Sequence, residues 1–82
     1  MMEVTTMIAD EIKAIRSSAG LSQAALAEAA GITQGAVSQI ENGRQLITAP
    51  NLERWMTACK VSARQRSRLV MMWFDEAVQR DE

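Results

Sequence analysis

The stretch Gln23–Asn42, QAALAEAAGITQGAVSQIEN, decides how the rest of the chain is read. It divides at Gly31. Before the glycine, Ser22 is a good helix N-cap and Gln23 to Ala30 is an alanine-rich run of high helix propensity. After it, Thr33 caps a second short helix, Gln34 to Glu41, which stops before Gly43. Leu26, Ala27 and Ala30 on the first helix, Val37 and Ile40 on the second, and Ile32 in the turn supply the apolar contacts of two packed helices. Ala27 is small where the second helix must cross close by, and Gly31 supplies the positive φ of a tight turn. What the second helix leaves outside is polar and uncharged: Gln34, Ser38 and Gln39. Amide side chains on an exposed helix suit adenine edges in a DNA major groove.

The pattern L-S-Q-x-x-L-A-x-x-A-G-I-T-Q-x-x-V-S-x-I-E-N-G, Leu21 to Gly43, resembles the helix-turn-helix of the phage lambda-type repressor and Cro proteins, the wider Xre family of small regulators. The similarity extends more loosely over Ile8 to Val61, and no motif covers the chain beyond Ser62. The resemblance implies a DNA-binding surface of Gln23, Thr33, Gln34, Gly35, Ser38, Gln39, Asn42 and Arg44. Residues matching Gln34 and Gln39 touch base edges, and Gln34 is suited to the paired contact with adenine N6 and N7. The residue matching Gln23 binds a phosphate, aided by the helix N-terminus, and braces the adjacent reader. Asn42 and Arg44 match backbone-clamping positions, with Arg44 the stronger phosphate ligand. Ser38 is a weaker phosphate candidate. Gly35 departs from the family, which often has another polar reader there; fewer side chains then read the site and the backbone comes closer. Arg16 and Glu41 match a structural ion pair that ties the first helix to the end of the recognition helix and sets its angle.

Eighty-two residues with 48% apolar composition bound the chain to one small domain, residues 1–82, with a modest core. Alanine richness, six methionines and no tyrosine favour an all-α, five-helix fold. A single cysteine rules out an intramolecular disulfide, and Cys59 reads as a small core residue. With no histidine, neither a metal site nor a cofactor is expected. An enzyme is not expected either: the acids show no paired arrangement and no glycine-rich phosphate loop follows a strand. No apolar run approaches the ~20 residues of a membrane span and no signal peptide is apparent, so no membrane contact and a cytoplasmic location are expected.

The net charge of −1 argues against a nucleic-acid partner on its face. Its distribution softens the objection. Residues 1–12 hold Glu3, Asp10 and Glu11 and no base, while residues 13–50 set Lys13, Arg16 and Arg44 against Glu28 and Glu41. Charges beyond a Debye length of ~8–10 Å are largely screened, so a local positive face suffices.

Along the rest of the chain, Thr5 or Thr6 is expected to cap a first helix whose buried face is Ile8, Ile12 and Ile15. Pro50 and Asn51 start a fourth helix, with Leu52, Trp55, Met56 and Cys59 at i, i+3, i+4 and i+7. Ser62 and Gln65 form a capping box for a fifth, residues 63–79. In that helix Leu69 to Phe74 reads LVMMWF, and no single helical face hides six successive apolar residues. Leu69, Met72 and Trp73 turn inward; Val70, Phe74, Ala77 and Val78 remain outside, with Trp73 and Phe74 as anchors of a homodimer interface that Leu46 and Ile47 extend. The competing reading folds the Met1–Met7 arm over the same helix. The resulting expectation is a repressor binding a palindromic operator in double-stranded DNA as a homodimer. Alternatives are an antitoxin with a toxin partner, a restriction-modification controller, or an interaction module that has lost DNA binding.

Overall fold

Five helices make up the structure, a computed structural model that describes residues 7–80: α1 (Ile8–Ser18), α2 (Gln23–Ala30), α3 (Gln34–Glu41), α4 (Ala49–Cys59) and α5 (Ala63–Arg80). The described residues contain no strand. Local chemistry sets most of the boundaries. Ser22 Oγ accepts the Ala25 N–H at 3.0 Å, and Thr33 Oγ1 accepts the Ala36 N–H at 3.1 Å, so both motif helices start on a hydroxyl cap. Gly31, at φ 74°, ends α2 in the left-handed region and lets the Ile32 N–H reach back to the Ala27 carbonyl at 3.0 Å. At α5 the capping box is reciprocal: Ser62 Oγ accepts the Gln65 N–H at 3.1 Å, and Gln65 Oε1 accepts the Ser62 N–H at 3.3 Å.

Two starts differ from the sequence reading. α4 begins at Ala49, because Thr48 Oγ1 caps it through the Asn51 N–H at 3.3 Å, and Pro50 then sits inside the first turn. Thr5 and Thr6, expected to cap α1, lie outside the described residues. The N-cap of α1 is Met7, which offers no side-chain acceptor. The acceptor comes from the far end of the chain: Glu76 Oε1 on α5 takes the Ile8 N–H at 3.1 Å. An acidic group there also complements the positive end of the α1 dipole.

The core gathers Ile8, Ile12 and Ile15 from α1, Leu26 and Ala27 from α2, Val37 and Ile40 from α3, Leu52, Trp55 and Met56 from α4, and Leu69 from α5. α2 packs on α3 and α4, and α1 packs on α3, α4 and α5. Both tryptophans find backbone acceptors. Buried Trp55 donates its indole N–H to the Ile12 carbonyl at 3.1 Å, and half-buried Trp73 donates to the Ile47 carbonyl at 2.6 Å. Ile47 is itself buried in the core, and Leu46 packs half-buried against it. The loop after α3 is therefore pinned inward at Ile47 and held by α5, where the sequence reading had turned it toward an outer surface. Trp73 likewise belongs to the contacts within the chain. Cys59 and Met72 are partly buried against the same core. Among the described residues, no helix is long and apolar enough to cross a membrane, and no His, Cys, Asp and Glu group could hold a metal ion.

Candidate nucleic-acid interface

α3 has two faces of opposite character. Val37 and Ile40 are buried against α1 and α2. Gln34, Gly35, Ser38, Gln39 and Asn42 follow one another around an outer arc of about 140° at 3.6 residues per turn. Of these, Gln34, Gly35, Gln39 and Asn42 are exposed and Ser38 is half-buried. Among the described residues, the side chains of Gln34 and Gln39 make no hydrogen bond. Thr33 stands exposed at the start of this face, its hydroxyl used by the α3 cap. Arg44 is exposed just past the end of α3, where its N–H bonds the Gln39 carbonyl at 3.0 Å. The structure thus brings seven of the eight sequence-derived contact residues onto α3 and its two ends.

Gly35 is unusual within that surface. Its backbone is ordinary helix, and a Cβ built on it would find nothing nearer than Thr33 Oγ1 at 4.0 Å. Neither conformation nor packing within the chain calls for glycine there.

The eighth residue, Gln23, is tied into the scaffold. It opens α2, is half-buried, and donates from Nε2 to Glu41 Oε1 at 3.0 Å. Glu41 is the hub. Arg16 Nε meets its Oε2 at 2.6 Å, and Arg16 Nη2 meets its Oε1 at 3.1 Å, a two-pronged pairing of α1 with the last turn of α3. Arg16 Nη1 also donates to the Leu21 carbonyl at 2.8 Å, which fixes the turn into α2. The carboxylate side chain is 2% exposed and the guanidinium side chain 13%, so water screens the pair poorly. The hydrogen bond to Glu41, reinforced by its charge, holds Arg16 above its ordinary pKa against the opposing effect of burial. Cys59 lies within the field of this pair: burial pushes its thiol up, Arg16 pulls it down, and Glu41 adds to the rise.

The interaction of Gln23 with Glu41 was not apparent from sequence, because nothing in the α2 pattern points to the end of α3. Its amide retains a second N–H with which to meet a phosphate. The other basic residues are mostly engaged away from α3. Arg66 pairs with Glu53 at 2.6 Å and Arg68 with Glu11 at 3.3 Å, both exposed pairs of small energetic weight. Lys13 is exposed on α1.

Comparison with known proteins agrees with this geometry. Residues 8–69 match a protein-family model described as a helix-turn-helix domain. Among curated proteins none matches.

Proposed function

The chain belongs to the helix-turn-helix domain family, and from that premise we propose that it is a sequence-specific DNA-binding regulator of the phage repressor and Cro type, acting in the cytoplasm. In this reading α3 enters the major groove and Gln34 and Gln39 read base edges. Gln23, Ser38, Asn42 and Arg44 hold the flanking phosphates, and the Arg16–Glu41 pair sets the angle of α3. Two copies bind a palindromic operator with recognition helices about 34 Å apart, or a multiple of that. The outcome is repression by exclusion of polymerase, and the protein works by binding, without catalysis or a cofactor.

The observation that carries this reading is the outer face of α3. Its amide side chains are presented to solvent and used by nothing within the chain, while the opposite face is locked into the core. The modest charge implies that non-specific affinity is weak and that base contacts matter more to discrimination. Selection from random duplex DNA is the direct test. Enrichment of a two-fold symmetric site is expected, with footprints on two successive major grooves. Enrichment of no sequence would overturn the proposal, and enrichment of an asymmetric single half-site would overturn its dimeric form.

A further inference from the structure

α5 buries only one of its sides. Leu69 is buried, and Met72 and Trp73 pack on the core. On the opposite side Val70, Met71, Phe74 and Val78 are 44%, 66%, 60% and 49% exposed, on successive turns of one helix. An apolar stripe of this kind marks an interaction surface more often than a solvent face. Ser67, Val70, Phe74 and Ala77 run through it with spacings of three, four and three, the repeat of a two-helix seam.

We propose that this face is covered by α5 of a second copy, running antiparallel, with the two-fold axis passing at the level of Met72. The proposal rests on the two-copy reading above and gives it a surface and a pairing sense. Two features of the helix select the sense. The first is the symmetry of the seam. Val70 and Phe74 lie two residues either side of position 72, and Ser67 and Ala77 five residues either side. An antiparallel pair therefore sets Phe74 against the partner's Val70 and Ser67 against the partner's Ala77, large beside medium and small beside small. A parallel pair stacks Phe74 on the partner's Phe74 and leaves Ser67 facing itself.

The second feature is charge. Arg64, Arg66 and Arg68 all precede the midpoint of the stripe, and Asp75 and Glu76 both follow it. Arg66 is held by Glu53 of α4, and Glu76 caps α1, so Arg64, Arg68 and Asp75 are the charges left along the flank of the seam. Arg68 and Asp75 are seven residues apart, two turns, and so share that flank. Antiparallel pairing brings each Arg68 beside the partner's Asp75, twice by symmetry; parallel pairing gathers like charges at both ends. Flanking charges of this kind set orientation in helix pairs. The existing bond of Arg68 to Glu11, at 3.3 Å with the arginine side chain 65% exposed, is weak enough to be shared or exchanged.

Disulfide trapping distinguishes the arrangements. In a Cys59→Ser background, a Ser67→Cys chain mixed with an Ala77→Cys chain is expected to form the mixed disulfide in preference to either symmetric one. Predominant Ser67→Cys homodimers would overturn the antiparallel sense. Sedimentation of the wild type at tens of micromolar is expected to give twice the chain mass, and Phe74→Glu to halve it with helicity retained, since Phe74 is exposed in the single chain. A wild type that sediments as a monomer and binds its selected DNA as a monomer would overturn the surface. Loss of sequence-specific DNA binding with the mixed disulfide intact would overturn the proposed function and leave this inference standing.

Discussion

Replacing Arg16 with alanine is expected to destabilise the fold by about 3–5 kcal/mol, because it strands a buried carboxylate. Glu41 receives three donors, Arg16 Nε at 2.6 Å, Arg16 Nη2 at 3.1 Å and Gln23 Nε2 at 3.0 Å. The substitution removes two of them and the bond from Nη1 to the Leu21 carbonyl as well. What remains is a carboxylate with 2% exposure and one amide donor. Glu41→Ala is expected to fall at the lower end of the same range, because the guanidinium keeps the Leu21 carbonyl and 13% exposure. At roughly 0.05–0.15 kcal/mol per residue a domain of this size holds about 4–12 kcal/mol in total, so either loss is a large share. Urea unfolding followed by circular dichroism reads it directly: with a slope near 1 kcal/mol per molar, Arg16→Ala moves the midpoint down by about 3 M or more. A double-mutant cycle isolates the coupling. A single-variant loss below ~1 kcal/mol, with no coupling, would place the pair among ordinary surface bridges and refute the argument. The arginine side of the pair adds no pH dependence near neutrality. Its folded pKa is raised above the unfolded value, so its contribution is complete below the unfolded pKa and fades only as strongly alkaline pH is reached.

Four other perturbations test separate parts of the structure. Gln34→Ala should lose about 1–3 kcal/mol on a selected operator and relax preference at one base pair, whereas Arg44→Ala should weaken all sequences alike and flatten the salt slope; competition binding at several salt concentrations separates the two. Gly35→Ala should stabilise the free protein by up to about 1 kcal/mol, since the Cβ meets only Thr33 Oγ1 at 4.0 Å, while changing or weakening DNA recognition; a drop in melting temperature would contradict it. Glu76→Ala should cost about 1 kcal/mol through loss of the Ile8 cap, with Glu76→Gln milder because an acceptor oxygen remains, as read by urea unfolding. The Cys59 thiol, pushed up chiefly by burial, should react with iodoacetamide more slowly in the folded than in the unfolded chain at mildly alkaline pH, and the protection should persist as pH passes the ordinary thiol range. By the same linkage the cysteine lowers stability as pH climbs above its unfolded pKa, because only the unfolded chain is then free to ionise.

What was legible in the sequence was local. Ser22, Thr33, Ser62 with Gln65, and Gly31 act on amides within a few residues of themselves, so their roles can be read from spacing alone, and all four act as read. The apolar positions of α1 to α4 were legible for a similar reason, since 3.6-residue periodicity survives in the core they form. Bonds between distant side chains and backbone leave no such trace. Glu76 reaches Ile8 across 68 positions, Trp73 reaches Ile47 across 26, and Gln23 reaches Glu41 across 18. Each moved a residue away from the role that spacing suggested. Trp73 left the outer stripe, Ile47 left the loop surface, and the cap of α1 passed from a neighbouring threonine to α5. The six-residue run Leu69–Phe74 shows the limit most clearly, because a continuous apolar stretch has no phase. Only packing reveals that Leu69, Met72 and Trp73 face inward, and therefore which residues are left over.

The candidate contact surface separates residues that carry structure from residues that do not. Gln34, Gly35 and Gln39 are exposed and hold nothing in the fold, so their replacement alters recognition at little structural cost, within about 0.5 kcal/mol for the glutamines. Arg16 and Glu41 are the reverse, buried and engaged, and touch DNA at no point in the proposed arrangement. Gln23 stands on both sides of that division. Its Nε2 donates to the buried carboxylate that anchors α3, and its remaining N–H is the one assigned to a phosphate. A phosphate held by Gln23 is therefore one hydrogen bond from Glu41 and two from Arg16, so the grip on the DNA backbone and the angle of the reading helix are set by one connected group. On this basis Gln23→Ala should show two effects, a small loss of stability and a sequence-independent loss of affinity, whereas Arg44→Ala should show only the second.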